Sequence, residues 1–191
     1  MILYVDASVR SSSRTAALAL YTLKNLPGEV KTLKLCEAPM PVLDEAFLAM
    51  RDKACASGDF SAACFEPAKL FAAADEIVIA APYYDLSFPA ALKQFFEQIN
   101  VIGLTFDYSA EGKPYSLCRA KRLFYVTTAG GQIVSDEYGF GYVRALAEYF
   151  YGIEECVCFK AEGLDIFGAD VPGLLENAKK EIGRYFGRPD R

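Results

Sequence analysis

Histidine and tryptophan are both absent from the 191 residues. Without histidine there can be no Ser-His-Asp or Cys-His catalytic arrangement, no His-ligated metal and no His general base. No C-x-x-C pair occurs among the six cysteines, Cys36, Cys55, Cys64, Cys118, Cys156 and Cys158. A free cysteine packs as a small hydrophobe. All six read as reduced packing residues, in keeping with a reducing compartment. Cys156 and Cys158 flank Val157 in an apolar run that reads as a strand, and they are expected on opposite faces. No stretch approaches the roughly 20 apolar residues that span a bilayer. The opening Met1-Ile2-Leu3-Tyr4-Val5-Asp6 has no basic segment before an acid, so it does not read as a signal peptide. A cytoplasmic protein with no membrane partner is expected. Cations are also scarce: 20 Lys and Arg face 25 Asp and Glu, for a net charge of −5. Phosphate-backbone binding needs clustered cations, so no nucleic-acid partner is expected.

What is present is enough for a core. Apolar residues make up 53% and charged residues 24%, which excludes a disordered chain. A chain of this length buries roughly 70% of its unfolded surface and needs no disulfide or metal staple. One domain, 1–191, is expected. Along the chain, short apolar runs alternate with helical patterns. Strands are expected at Ile2–Asp6, Glu29–Leu35 (half polar, so nearer an edge), Glu76–Ala81, Lys121–Thr128 and Glu155–Ala161. Helices are expected over Thr15–Leu26, from an Asp44 cap to Gly58, near Ser61–Ala73, through Leu92–Ile99, over Phe140–Tyr151 and after an Asp170 cap. Leu92, Phe95, Phe96 and Ile99 make one apolar face. Pro39 and Pro41 punctuate one loop, and Thr105–Ser116 reads as a long turn region. Five strands alternating with helices imply an α/β doubly wound parallel sheet with helices on both faces. Ligands of such sheets sit beyond the carboxyl ends of the strands, where strand order reverses. The loops after the first, third and fourth strands are therefore the informative ones.

The first loop, Asp6-Ala7-Ser8-Val9-Arg10-Ser11-Ser12-Ser13-Arg14-Thr15, places hydroxyls and two guanidiniums ahead of a helix start. Helix N-termini offer unpaired N–H groups and a positive dipole end, so this reads as a phosphate pocket. It is neither a Walker A loop nor a G-x-G-x-x-G fingerprint. Plain capping by Ser12 or Ser13 is the bland alternative. A phosphoryl-accepting Asp6 is another, although such enzymes use a second acid two residues on, where Ser8 stands. The third-strand loop, Ala81-Pro82-Tyr83-Tyr84-Asp85-Leu86-Ser87-Phe88-Pro89, carries aromatics suited to a flat π-system, or to packing beneath the next helix. The fourth, Thr127-Thr128-Ala129-Gly130-Gly131, lets backbone approach a ligand. Together they fit a phosphorylated planar cofactor, and FMN is the obvious candidate.

These blocks resemble the FMN-dependent azoreductases and NAD(P)H:quinone reductases of flavodoxin-like fold. The resemblance rests on Ser8-x-Arg10-x-x-Ser13-x-Thr15, Pro41-Val42-Leu43-Asp44, Ala81-Pro82-Tyr83-Tyr84-Asp85 and Leu92-Lys93-Gln94-Phe95-Phe96. Gly103-Leu104-Thr105-Phe106-Asp107-Tyr108 and Thr128-Ala129-Gly130-Gly131 complete it, in family order over most of the chain. It implies a three-layer sandwich with a five-stranded sheet of order 2-1-3-4-5. It implies that Ser8, Ser13, Arg14 and Thr15, within a motif that also contains Arg10, hold the FMN phosphate. Pro82, Tyr83, Tyr84, Asp85 and Leu86 would line the isoalloxazine, with Thr128, Ala129, Gly130 and Gly131 against another part of it. Tyr108 would lie on the substrate side.

The implied reaction is ping-pong. NADH or NADPH gives hydride to flavin N5, and a quinone, azo compound or free flavin then takes two electrons. No metal and no side-chain nucleophile is required, and a homodimer is implied. Two departures stand out: the family often has Asn where Asp85 stands, and a polar or charged residue at Ala129. A flavodoxin-type electron carrier and a flavin-free binding protein of the same fold are the rival readings. The aromatic helix Tyr138–Tyr151 is open to either an interface or a core role.

Overall fold

The structure, a computed structural model, describes residues 1–38 and 40–187. Pro39 lies outside the described residues, whereas Pro41 is in the exposed loop expected for it. β1 (Ile2–Asp6) is buried along its length because it is flanked on both sides. It pairs in parallel with β2 (Val30–Lys34) and β3 (Glu76–Ala80), with Leu3 opposite Lys31 on one side and Ile77 on the other. β3 pairs in parallel with β6 (Arg122–Thr128), and β6 with β7 (Glu155–Ala161). The half-polar β2 sits at an edge, as its composition suggests.

The sheet order is β2-β1-β3-β6-β7. Counting only the strands of this sheet, that is the expected 2-1-3-4-5 topology. The labels differ because β4 (Phe106–Tyr108) and β5 (Pro114–Ser116) form a separate antiparallel hairpin. The Thr105–Ser116 stretch is thus not merely a turn region. Three-residue strands contain too few alternating positions to stand out as a pattern.

Side-chain alternation divides the core between two faces of the sheet. Ile2 and Tyr4 pack with Leu18 and Ala19 of α1 (Arg14–Leu23) and with Ala178 and Ile182 of α6 (Val171–Tyr185). Leu3 and Val5 belong to the other cluster, with Ala54 of α2 (Glu45–Ser57) and Phe71 of α3 (Glu66–Ala73). Phe95 and Phe96 of α4 (Ala90–Ile99) and Val143 and Leu146 of α5 (Phe140–Tyr149) complete that layer. The predicted face of α4, Leu92, Phe95, Phe96 and Ile99, is wholly buried. Asp44 and Asp170 cap α2 and α6 as expected, accepting from Phe47 N at 2.8 Å and Gly173 N at 3.1 Å. The helix expected over Ser61–Ala73 begins as a 3₁₀ turn, Ala63–Phe65.

Two expectations about cysteine fail. Cys156 and Cys158 share one face, packing against the cluster that holds Leu3, while Val157 packs on the other. Residues two apart on a strand necessarily point the same way. Cys36 is exposed and is not a packing residue; all six thiols are free. Among the described residues, no helix is long and apolar enough to cross a membrane.

Candidate functional site

The carboxyl ends of the central strands are laced together by backbone hydrogen bonds. Ala7 N donates to Ala80 O at 2.9 Å, Ala81 N to Val126 O at 2.9 Å, and Tyr83 N to Thr128 O at 3.0 Å. Ala129 N donates to Ala161 O at 2.9 Å. The loops after β1, β3 and β6 therefore meet along one sheet edge, around a cleft of about 450 Å³. That is within the range usual for small-molecule and cofactor sites, about 300–1,000 Å³.

Most of the sequence-predicted residues line this cleft: Ser8, Arg10, Ser13, Arg14, Thr15, Pro82, Tyr83, Tyr84, Thr128, Ala129 and Gly130. The wall also includes Val9, Ser12 and Asp165, which sequence reasoning did not select. Asp85, Leu86 and Gly131 are not in the wall, and Tyr108 stands on the hairpin, 44% exposed. Phe88 packs inward against Phe96 and Tyr142, so of the loop aromatics it is a core residue.

One end of the cleft is built for an anion. Ser13 caps α1, its Oγ accepting from Ala16 N at 3.1 Å. The N–H groups of Arg14 and Thr15 keep no partner among the described residues, as is normal for a first helical turn. Arg10 is exposed and makes no ion pair or side-chain hydrogen bond among the described residues. Arg14 is engaged: its Nη2 meets Asp165 Oδ1 at 2.7 Å and its Nη1 donates to Leu164 O at 3.1 Å. Thr15 and Thr128 share a buried hydroxyl–hydroxyl hydrogen bond of 2.6 Å.

Ser8 and Asp6 behave as a unit. Asp6 Oδ1 accepts from Ser8 N at 2.9 Å and from Ser8 Oγ at 2.6 Å. The Ser8 hydroxyl hydrogen is thereby directed away from any ligand, leaving only oxygen lone pairs to the cleft. Asp6 is 6% exposed and absent from the wall. No cluster that could hold a metal exists among the described residues. The phosphoryl-accepting Asp6 is discarded on its own geometry, since a nucleophile must face its substrate.

The third-strand loop is a two-residue turn. Tyr84 N donates to Ser87 O at 3.0 Å and Ser87 N to Tyr84 O at 2.8 Å. Its two central residues both have positive φ, 49° at Asp85 and 69° at Leu86. That is the type I′ signature, usually met by Asn or Gly. Gly130 makes room for Asp165: a Cβ there would lie 2.4 Å from Asp165 Oδ2, and the exposed carboxylate would have to shift. At Gly131 a Cβ would meet nothing within 4 Å.

Asp165 was missed because it follows β7, whose loop lies away from the reversal of strand order. The pairing of β7 with β6 brings it in. Gly163 N donates to Gly131 O, Leu164 N to Ala129 O and Asp165 N to Gly130 O, at 2.9, 3.1 and 2.9 Å. The signal available in sequence was positional: in a parallel sheet the loop after the fifth strand of the sheet opens at the same carboxyl edge as the loops after the others.

Comparison with known proteins agrees with this architecture. Residues 1–186 match the family model for the flavodoxin-like fold. An FMN-dependent NADH:quinone oxidoreductase of Lachnoclostridium phytofermentans is 38% identical over 115 residues, covering 59% of this chain and 57% of that protein. An FMN-dependent NADH:quinone oxidoreductase 2 of Clostridium acetobutylicum is 41% identical over 112 residues, covering 56% and 55%. The chain thus matches just over half the length of these relatives. Among solved structures, an azoreductase of Bacillus anthracis superposes with a TM-score of 0.83 at 22% identity, covering 97% of each chain. An FMN-dependent NADH-azoreductase from the same species, in complex with FMN, gives 0.78 at 21% identity, again covering 97% of each. At these identities the superpositions speak to the fold.

Proposed function

For a chain that belongs to the flavodoxin-like fold family, we propose the function of an FMN-dependent NAD(P)H oxidoreductase that reduces a quinone, azo compound or free flavin. The observation that carries this reading is the cleft end lined by Arg10, Arg14 and Thr15, where the Arg14 and Thr15 N–H groups and the Arg10 guanidinium have no partner among the described residues. A helix start with open donors and a free cation suits a phosphate monoester. A bound FMN would supply the two-electron chemistry, taking hydride from NADH or NADPH and passing electrons to the acceptor.

The chain's own residues then bind and orient. The α1 N-terminus, with Arg10, Ser13, Arg14 and Thr15, holds the phosphate, whereas Ser8, whose hydrogen goes to Asp6, has no donor to give it. Pro82, Tyr83 and Tyr84 on one side and Thr128, Ala129 and Gly130 on the other flank the ring system. Tight backbone pairing between Tyr83 and Thr128 fixes the separation of the two loops. The acceptor is a small molecule, and the family resemblance supports a homodimer. Free cysteines throughout suit a cytoplasmic home.

The test is the visible spectrum of the purified protein with added FMN, before and after anaerobic NADH or NADPH. A perturbed flavin spectrum that bleaches rapidly with one nucleotide is expected. Bound flavin that stays yellow would make the protein an electron carrier. An unperturbed flavin spectrum would overturn the flavin reading altogether.

A further inference from the structure

The phosphate end of the cleft carries a charge that works against its proposed ligand. Two guanidiniums, Arg10 and Arg14, line it, and so does the Asp165 carboxylate. Asp165 is built into the wall. Its N–H donates to Gly130 O at 2.9 Å, and the missing Cβ of Gly130 makes the room its carboxylate occupies. From there it pairs with Arg14 at 2.7 Å, while Arg10 has no acidic partner among the described residues.

We propose that Asp165 is a specificity-determining residue: by occupying Arg14, it limits how strongly the cleft prefers a phosphorylated flavin over unphosphorylated riboflavin. The inference rests on the flavin reading and deepens it. A phosphate monoester carries between one and two negative charges near neutral pH. Against it the side chains would offer two positive charges; with Asp165 ionised they offer a net of one. The phosphate is left mainly to Arg10 and the open N–H groups of α1. Riboflavin has no phosphate and is indifferent to this balance. The pair is partly exposed, with side-chain exposures of 35% for Arg14 and 66% for Asp165. Solvent screening therefore makes the effect several-fold and not thousand-fold.

The test is a pair of fluorescence titrations, FMN and riboflavin, on the wild type and on Asp165→Asn. The variant is expected to raise the ratio of FMN to riboflavin affinity about fivefold, from the removal of one screened charge near the phosphate. Riboflavin affinity should stay put, and FMN affinity should fall more steeply with salt. Arg10→Gln should lower the ratio in the wild type more than Arg14→Gln does. Asp165→Glu, which keeps the charge, should stay near the wild-type ratio. An unchanged ratio in Asp165→Asn, with FMN bound by both proteins, overturns the inference and leaves the flavin reading standing. Failure of the wild type and the variant to bind either flavin removes both. Should Asp165→Asn not fold, Asp165→Ser serves instead, since it too removes the charge beside Arg14. An unchanged ratio there overturns the inference equally.

Discussion

Thr15 and Thr128 join hydroxyl to hydroxyl at 2.6 Å across 113 residues of sequence, tying the loop after β1 to the end of β6. Both are buried, at 2% and 9% exposure. Replacing either with Val leaves the other hydroxyl unpaired in the interior, at a cost of about 1–3 kcal/mol. Replacing both removes the orphan. Urea unfolding of Thr15→Val, Thr128→Val and the double variant is expected to show the double less destabilised than the sum of the singles. Simple additivity would mean that the bond contributes nothing.

The turn at Asp85 and Leu86 predicts a stabilising substitution. Leu86 holds φ at 69° while half exposed, so its side chain offsets little of the left-handed penalty. That penalty is about 1–2 kcal/mol for an ordinary residue and smaller for Asn. Leu86→Asn should therefore raise the free energy of unfolding by about 0.5–1 kcal/mol, and the β-branched Leu86→Val should lower it. Equilibrium denaturation checks both. Loss of stability in the Asn variant would show that Leu86 packing outweighs its backbone strain.

Burial makes a third prediction, in pH. The Cys118 and Cys158 thiols are each pushed up to about 12, by desolvation first, with acidic Asp136 and Glu162 adding to it at Cys158. In the unfolded chain a thiol titrates near 8.5. Below that pH both states hold the proton and stability is unaffected. Above it the unfolded chain loses protons that the folded chain retains, so the unfolded state gains. Stability should fall as pH rises from about 8.5 toward 12, by up to about 1.4 kcal/mol per pH unit for each thiol. Denaturation at pH 8 and pH 10.5 should show the decline, less steep in Cys118→Ala/Cys158→Ala. At pH 8 a thiol reagent should modify exposed Cys36 first. An equal slope in the double variant would assign the alkaline loss to other groups.

What the sequence disclosed and what it hid follow one division. Features set by local chemistry were legible: the apolar runs of the central strands, the Asp44 and Asp170 caps, the apolar face of α4, and the hydroxyl-rich loop ahead of α1. The doubly wound class followed because alternating strands and helices admit few topologies, and the sheet order came with the family resemblance. Features set by pairing between distant segments were not. The hairpin at Phe106–Tyr108 and Pro114–Ser116 has three residues a side and no long alternation. Asp165 gains meaning only when Arg14, 151 residues away, lies beside it. The Ser8 hydroxyl looked available to a ligand because nothing in the motif says that Asp6, two residues back, takes its hydrogen.

Ser13 allows capping and anion binding to be separated, because both use the same helix start. Its Oγ satisfies Ala16 N at 3.1 Å, and its backbone carbonyl accepts from Ala17 N at 3.0 Å. Ser13→Ala removes the side-chain cap and should cost about 1 kcal/mol of stability. Ser13→Asp keeps an oxygen acceptor at the cap and puts a negative charge at the positive end of the helix dipole. Stability should match or slightly exceed the wild type. The same carboxylate would face the open N–H groups of Arg14 and Thr15, where the phosphate is proposed to bind. FMN affinity should drop by at least about tenfold through like-charge repulsion, with riboflavin affinity much less affected. Thermal unfolding and flavin titration on one preparation read the two effects separately. A stable Ser13→Asp protein that binds FMN as tightly as the wild type would place the phosphate elsewhere than the α1 N-terminus.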